Sequence, residues 1–150
     1  MVGVSFIYKT KFIPIDSEHF SIWKLLKGEN IHTVDKVFLT ASGGPFLKKN
    51  INNLSNIKPK FALKHPNWKM GKKISIDSST MMNKIFEFIE AKKIFDLKKK
   101  ELGIIVHPSS FIHAIICLKG GLIKFLAHET DMKIPIASAL DIKLKKSRSF

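Results

Sequence analysis

A chain of 150 residues, 45% of them hydrophobic and 12 of them phenylalanine, is long enough to bury one sizeable core and too short for two full domains. Its 26 basic against 12 acidic residues give a formal charge of +14, yet Arg148 is the only arginine and the lysines are scattered among Ile, Asn and Phe, which argues against a concentrated nucleic-acid stripe. No run of about 18 uncharged apolar residues occurs, so neither a membrane span nor a signal peptide is expected and a cytoplasmic setting is, while the lone Cys117 excludes an internal disulfide.

In chain order, residues 11–16 (KFIPID) read as a short strand ending in an acid. SEHFSIWKLLKGEN follows, with Phe20, Trp23, Leu25 and Leu26 at near-helical spacing before Gly28, which predicts a helix closed by a glycine cap. Residues 35–40 (DKVFLT) predict a strand that runs into ASGGPF, where two glycines and a proline break regular structure. The polar, Asn-rich residues 47–60 predict a surface connection, and FALKHPNWKMGKK a loop. ISID and then SSTMMNKIFEFIEAKKIFDL form the most regular segment, a helix with Ser78 or Ser79 as its N-cap. Met82, Ile85, Phe86 and Ile89 make its apolar face, and Thr80, Asn83, Lys84, Glu87 and Glu90 share the opposite arc. GIIVHP, FIHAIICL and LIKFLAH read as strands, the last two joined by a hairpin at Lys119, Gly120 and Gly121, and DMKIPIASAL begins a helix or turn. Cys117 lies within FIHAIICL and reads as buried strand filler rather than a reactive thiol. The expected fold is α/β (α+β), a mixed, mainly four-stranded sheet with helices packed on it, and both ends of the chain look cut.

Several residue types carry possible chemistry. Asp16 and Glu18, at the end of the expected first strand, can give two oxygen ligands to a hard cation such as Mg²⁺ or Mn²⁺, or can simply cap the following helix. Glu87 on the polar stripe is the natural third ligand, set against an ordinary solvated helix face with a Lys84–Glu87 pair. The Ser42-Gly43-Gly44 turn, the Ser78 hydroxyl, the Asn83 amide and the Lys84 ammonium together suit a phosphate. His65, Trp68, Met70 and Gly71 lie in a loop with the composition of a lid, or of a surface loop packed on the core. His107, His113 and His128 form no tight zinc cluster, and neither GxGxxG nor GxxxxGK[ST] occurs, so a nucleotide cofactor needs sequence beyond this chain.

Read together, PIDSEH, LTASGGPF, KHPNWKMGKKISIDSSTMMNK, EFIEA, IIVHPSSFIH and DMKIPIA resemble the 1-deoxy-D-xylulose 5-phosphate reductoisomerase family, from about Lys11 to Ala139, in the family's order and at nearly its spacing. The connection between the first two blocks is somewhat shorter than in relatives. The resemblance implies that Asp16, Glu18 and Glu87 ligate the metal, and that Ser17, Ser42, Ser78, Asn83 and Lys84 bind substrate, Lys84 also stabilising charge on its oxygens. It implies a mobile lid carrying His65, Trp68 and Met70, with His65 and Lys84 as catalytic candidates and Gly71 beside the cofactor. His19 and His113 match supporting histidines near the site.

The implied activity is metal-dependent rearrangement and NADPH reduction of 1-deoxy-D-xylulose 5-phosphate to 2-C-methyl-D-erythritol 4-phosphate for isoprenoid synthesis, by an enzyme that is a homodimer at full length. The implied division is a remnant of an NADPH-binding domain at 1–10, a metal- and substrate-binding catalytic domain at 11–140, and a basic tail or the start of a C-terminal region at 141–150. An isolated chain of this composition is expected to be inactive. Two other readings are a basic nucleic-acid-binding domain and a phosphosugar aldolase or isomerase that needs no nicotinamide.

Overall fold

The computed structural model describes residues 10, 12–65, 67, 68 and 70–144. The expected domain remnant, all but residue 10, and residues 145–150 of the basic tail lie outside the described residues. Helix α1 (Ser17–Leu26) comes first, then strand β1 (Val34–Ala41), short helix α2 (Pro59–Ala62), and helices α3 (Lys72–Ser79) and α4 (Met82–Ile94). Strands β2 (Leu102–Val106), β3 (Ile112–Leu118) and β4 (Ile123–Ala127) and helix α5 (Lys133–Ala139) follow. The strands form one four-stranded mixed sheet, as the sequence predicts, in the order β2-β1-β3-β4, with β1 parallel to β2 and the other pairs antiparallel.

The core lies between the sheet and helices α1 and α4. Val37 and Leu39 of β1 stand opposite Ile116 and Ala114 of β3, and all four are fully buried with Ile22 of α1 and Ala91 of α4. Burying an Ile or Leu side chain contributes about 1.5–3 kcal/mol, so this layer fixes how the two helices sit on the sheet. On the opposite face Phe38, Ile115 and Phe125 line up in register, and Phe125 is 60% exposed. Cys117 is only half-buried in β3.

Three expectations are corrected. Residues 12–15 form no strand: the apolar run is irregular, and Asp16 caps α1 directly by accepting from the amides of Glu18 and His19. Asp16 and Glu18 therefore sit at a helix start, not a strand end. The expected helix from Ser78 is two helices, because Met81 adopts a left-handed backbone (φ 62°) that ends α3 at Thr80 and restarts the chain in a new direction as α4. Ser78 thus lies buried in the last turn of α3 and caps nothing. The connection across 47–60 is largely exposed, as expected, and holds a short 3₁₀ turn at Ile51–Asn53 and the start of α2.

The Met81 turn also decides which side of α4 faces inward. Lys84 and Glu87 are buried at 3% and 8% exposure, whereas Ile85, Phe86 and Ile89 are nearly half exposed. Of the polar stripe expected from the sequence, Lys84 and Glu87 are buried, which overturns the solvated-face alternative for that pair, while Thr80 and Glu90 are exposed.

Candidate metal centre

Two helix starts supply the cluster. At the first turn of α1, Asp16 Oδ1 takes the Glu18 and His19 amides at 3.1 and 3.2 Å, which fixes Asp16 and aims Glu18 along the helix. From the first turns of α4 come Asn83, Lys84 and Glu87. Oxygens of Asp16, Glu18 and Glu87 lie within 4.8 Å of one another. The Lys84 ammonium sits between two of them, 2.5 Å from Glu18 Oε1 and 2.5 Å from Glu87 Oε2. Ser17 donates its hydroxyl to the other Glu18 oxygen, and the Asn83 amide donates to Glu87 Oε1 at 3.3 Å. His19 stands behind the cluster, where its Nε2 donates to the Glu87 carbonyl at 2.9 Å and its Nδ1 lies 3.5 Å from Asp16. It ties the two carboxylate-bearing helices together.

One ammonium cannot balance three clustered carboxylates, and the titration behaviour follows from that shortfall. Glu18 is desolvated, but the attraction and hydrogen bond of Lys84 outweigh that and hold it below the ordinary glutamate value. Glu87 is pushed up to about 9 by burial and then by the Glu18 charge. Asp16 is raised for the same two reasons. Burial alone would lower the Lys84 ammonium; the two glutamates raise it instead. An all-oxygen donor set with surplus negative charge fits a hard divalent cation.

The cluster is the floor of a cleft of about 310 Å³. Asp16, Ser17, Glu18, Ser42, His65, Trp68, Met70, Ser78, Asn83, Lys84, Glu87 and His113 line it, so twelve of the residues expected from the sequence come together. Gly71 is the N-cap of α3 and, like His19, lies off the lining. Thr40, Ile74, Ser110 and Met132 also line it and were not anticipated. Thr40, Ile74, Ser110 and Met132 fall inside the blocks LTASGGPF, KHPNWKMGKKISIDSSTMMNK, IIVHPSSFIH and DMKIPIA, which was the available signal.

The rim presents donors. His65 Nδ1 accepts from the amides of Asn67 and Trp68 at 3.2 and 2.9 Å, so Nε2 carries the proton and donates to Ser42 Oγ at 2.9 Å. Burial and the nearby Lys84 charge lower the His65 value, which favours this neutral form. Ser42 Oγ also accepts from the Gly44 amide, which leaves its own proton free for an anion. Gly44 (φ 69°) passes so close to α3 that an added Cβ would lie 2.5 Å from the Ser78 carbonyl oxygen, and this approach brings Ser42 and Ser78 to the same cleft. Asn67 ties the loop down through Pro108 O and Ser110 Oγ, at 2.5 and 2.9 Å. The Asn83 side-chain oxygen Oδ1 is buried with no partner among the described residues.

These features define a class: an α/β domain built round a three-carboxylate centre at the floor of an anion-suited cleft. The profile of the 1-deoxy-D-xylulose 5-phosphate reductoisomerase C-terminal domain matches residues 12–95, and the chain belongs to that family. It is 56% identical over 142 residues to the 1-deoxy-D-xylulose 5-phosphate reductoisomerase of Pelagibacter ubique, covering 92% of this chain and 37% of that protein. Against the Desulforamulus reducens protein of the same name the identity is 50%, covering 89% and 34%. A crystal structure of DOX-P reductoisomerase in complex with NADPH, fosmidomycin and magnesium superposes with a TM-score of 0.85 at 40% identity, over 99% of this chain and 40% of that one. The Zymomonas mobilis enzyme in complex with NADPH gives a TM-score of 0.86 at 33% identity, over 99% and 38%. The chain thus spans little more than a third of these relatives' length. Among the described residues, no helix is long and apolar enough to cross a membrane.

Proposed function

We propose that this chain supplies the metal- and phosphosugar-binding part of a cytoplasmic 1-deoxy-D-xylulose 5-phosphate reductoisomerase, which forms 2-C-methyl-D-erythritol 4-phosphate for isoprenoid synthesis. The convergence of Asp16, Glu18 and Glu87 beside one buried lysine is the observation that carries this reading. Residues 11–140 form the binding domain, 1–10 the end of an NADPH-binding domain, and 141–150 a tail or the start of a C-terminal region. The open row of Phe38, Ile115 and Phe125 supports a homodimer at full length; neither nucleic acid nor a membrane is a partner.

Asp16, Glu18 and Glu87 hold Mg²⁺ or Mn²⁺, which when bound polarises adjacent oxygens of the sugar. Ser17 contacts the substrate next to the carboxylates. Ser42, Ser78 and Asn83 grip and orient the phosphosugar through hydroxyl and amide hydrogen bonds, and orientation alone removes much of the entropic barrier. Lys84 sets its ammonium against charge that develops on a substrate oxygen. His65 holds Ser42 in place and, with Trp68, Met70 and Gly71, belongs to the lid that excludes water from the cleft. The chain has no glycine-rich dinucleotide cradle, so its residues do not fit NADPH binding by themselves and hydride delivery falls to the rest of the full-length protein.

Isothermal titration of the chain with MgCl₂ or MnCl₂ tests the centre. One site per chain is expected, lost in Asp16→Asn and Glu87→Gln; heats that both variants leave intact would overturn the assignment. The chain alone is expected to oxidise no NADPH in the presence of 1-deoxy-D-xylulose 5-phosphate, and turnover would show that it is self-sufficient.

A further inference from the structure

His128 is buried, follows β4 immediately, and takes no part in the cluster described above. Its ring stacks on that of His113, with centroids 3.7 Å and planes 20° apart. Backbone carbonyls decide where the protons sit. A carbonyl only accepts, so His113 Nε2, 3.1 Å from the His128 carbonyl, is the protonated nitrogen, and in the neutral ring Nδ1 keeps its lone pair. His128 is fixed in the other sense: Nδ1 donates to the Glu129 carbonyl at 2.6 Å, and the buried Nε2 is left without a partner among the described residues. Trp68 meets His113 edge-on at 5.9 Å, so the His113 ring is packed by His128 and by the lid, and it lines the cleft together with Glu18 and Lys84.

We propose that His128 is a positioning residue: by ring stack and backbone carbonyl it holds His113 at the cleft wall in one neutral tautomer, with Nδ1 as an acceptor for a hydroxyl of the bound ligand. The role of His113 rests on the function proposed above; the clamp itself does not. Burial, and then the second imidazole against it, push His113 down to about 4, which agrees with a ring that stays neutral.

Long-range ¹H–¹⁵N spectra of the histidine rings, which need no metal or ligand, read the tautomer of His113 directly in the 150-residue chain. The native chain is expected to show His113 with Nε2 protonated. His128→Ala keeps the backbone carbonyl but loses the stack that holds the His113 ring against it, and the ratio of the two tautomers should fall about fivefold as that hydrogen bond ceases to form. His128→Phe should restore the single tautomer, because it keeps the stack. If His128→Ala unfolds, His128→Leu fills the volume without a ring and takes its place. An unchanged His113 tautomer in the ring-less variant, or a mixture already present in the native chain, would overturn the proposal whatever the metal titration shows.

Discussion

Asp16 caps α1 and stands in the carboxylate cluster at once, and the two roles separate by substitution. Asparagine caps a helix as well as aspartate does, whereas alanine costs about 1 kcal/mol. Asp16→Asn should therefore keep the stability of the metal-free chain, Asp16→Ala should lose about 1 kcal/mol in urea denaturation, and both should lose the magnesium site. The sequence alone presented capping and ligation as rivals, because spacing shows the cap and cannot show that α4 comes to meet it. Glu87 carries a pH signature of its own. Its folded value, about 9, lies far above that of an unfolded glutamate, so the folded chain holds a proton that the unfolded chain has shed. The stability this gives is complete below the unfolded value and is lost as pH rises through 9, so in EDTA the urea midpoint should fall steadily between about pH 7 and about pH 9. Magnesium should reverse that slope, because the ion competes with the proton. Calorimetry in buffers of different ionisation enthalpy should register about one proton released per ion near pH 7. A midpoint flat with pH would mean that Glu87 ionises as an exposed glutamate does.

At the scale of elements, the break at Met81 builds the site. A straight helix from Ser78 onward would carry Asn83, Lys84 and Glu87 away from the bearing they have, since the left-handed residue is what redirects the chain between α3 and α4. Nothing in SSTMMNK announced this: Thr, Met and Asn contain no helix breaker, and a methionine with positive φ is uncommon. The helical period of the polar stripe was legible, but its inward orientation was not, because the partner that rewards burying Lys84 lies 66 residues away in α1. The first strand was misread for a related reason, since an apolar run before an acid fits a strand equally well until a helix cap claims the acid. Gly44 is the element-level position most sensitive to change. Gly44→Ala adds a Cβ at positive φ against the Ser78 carbonyl, and left-handed strain alone costs about 1–2 kcal/mol. Denaturation should show a loss of 2 kcal/mol or more, roughly. Crystallography of the variant should show the turn carrying Ser42 displaced from α3; an unmoved turn at native stability would contradict the close approach.

For the whole molecule, the sheet was the most legible feature. Four strands, their order of appearance and the glycine hairpin between β3 and β4 follow from runs of β-branched residues bounded by turn residues, and the pairing matches them. The face of the sheet that carries the helices could not be read, since β1 has apolar residues on both sides, Val37 and Leu39 inward and Phe38 outward. The overall basic charge proved a poor guide: the lysine that matters most is the one hidden from solvent. Amine acylation followed by peptide mass spectrometry should make that visible. Reagents such as acetic anhydride attack only the unprotonated amine, and Lys84 is 3% exposed, clasped by two carboxylates and raised above the ordinary lysine range. Lysines with solvent-facing side chains, such as Lys73, should be modified rapidly, while Lys84 stays bare until the chain is unfolded. The native protein can accordingly be decorated across its basic surface, for immobilisation or for a fluorescent tag, with the Lys84 amine in its cleft left unmarked.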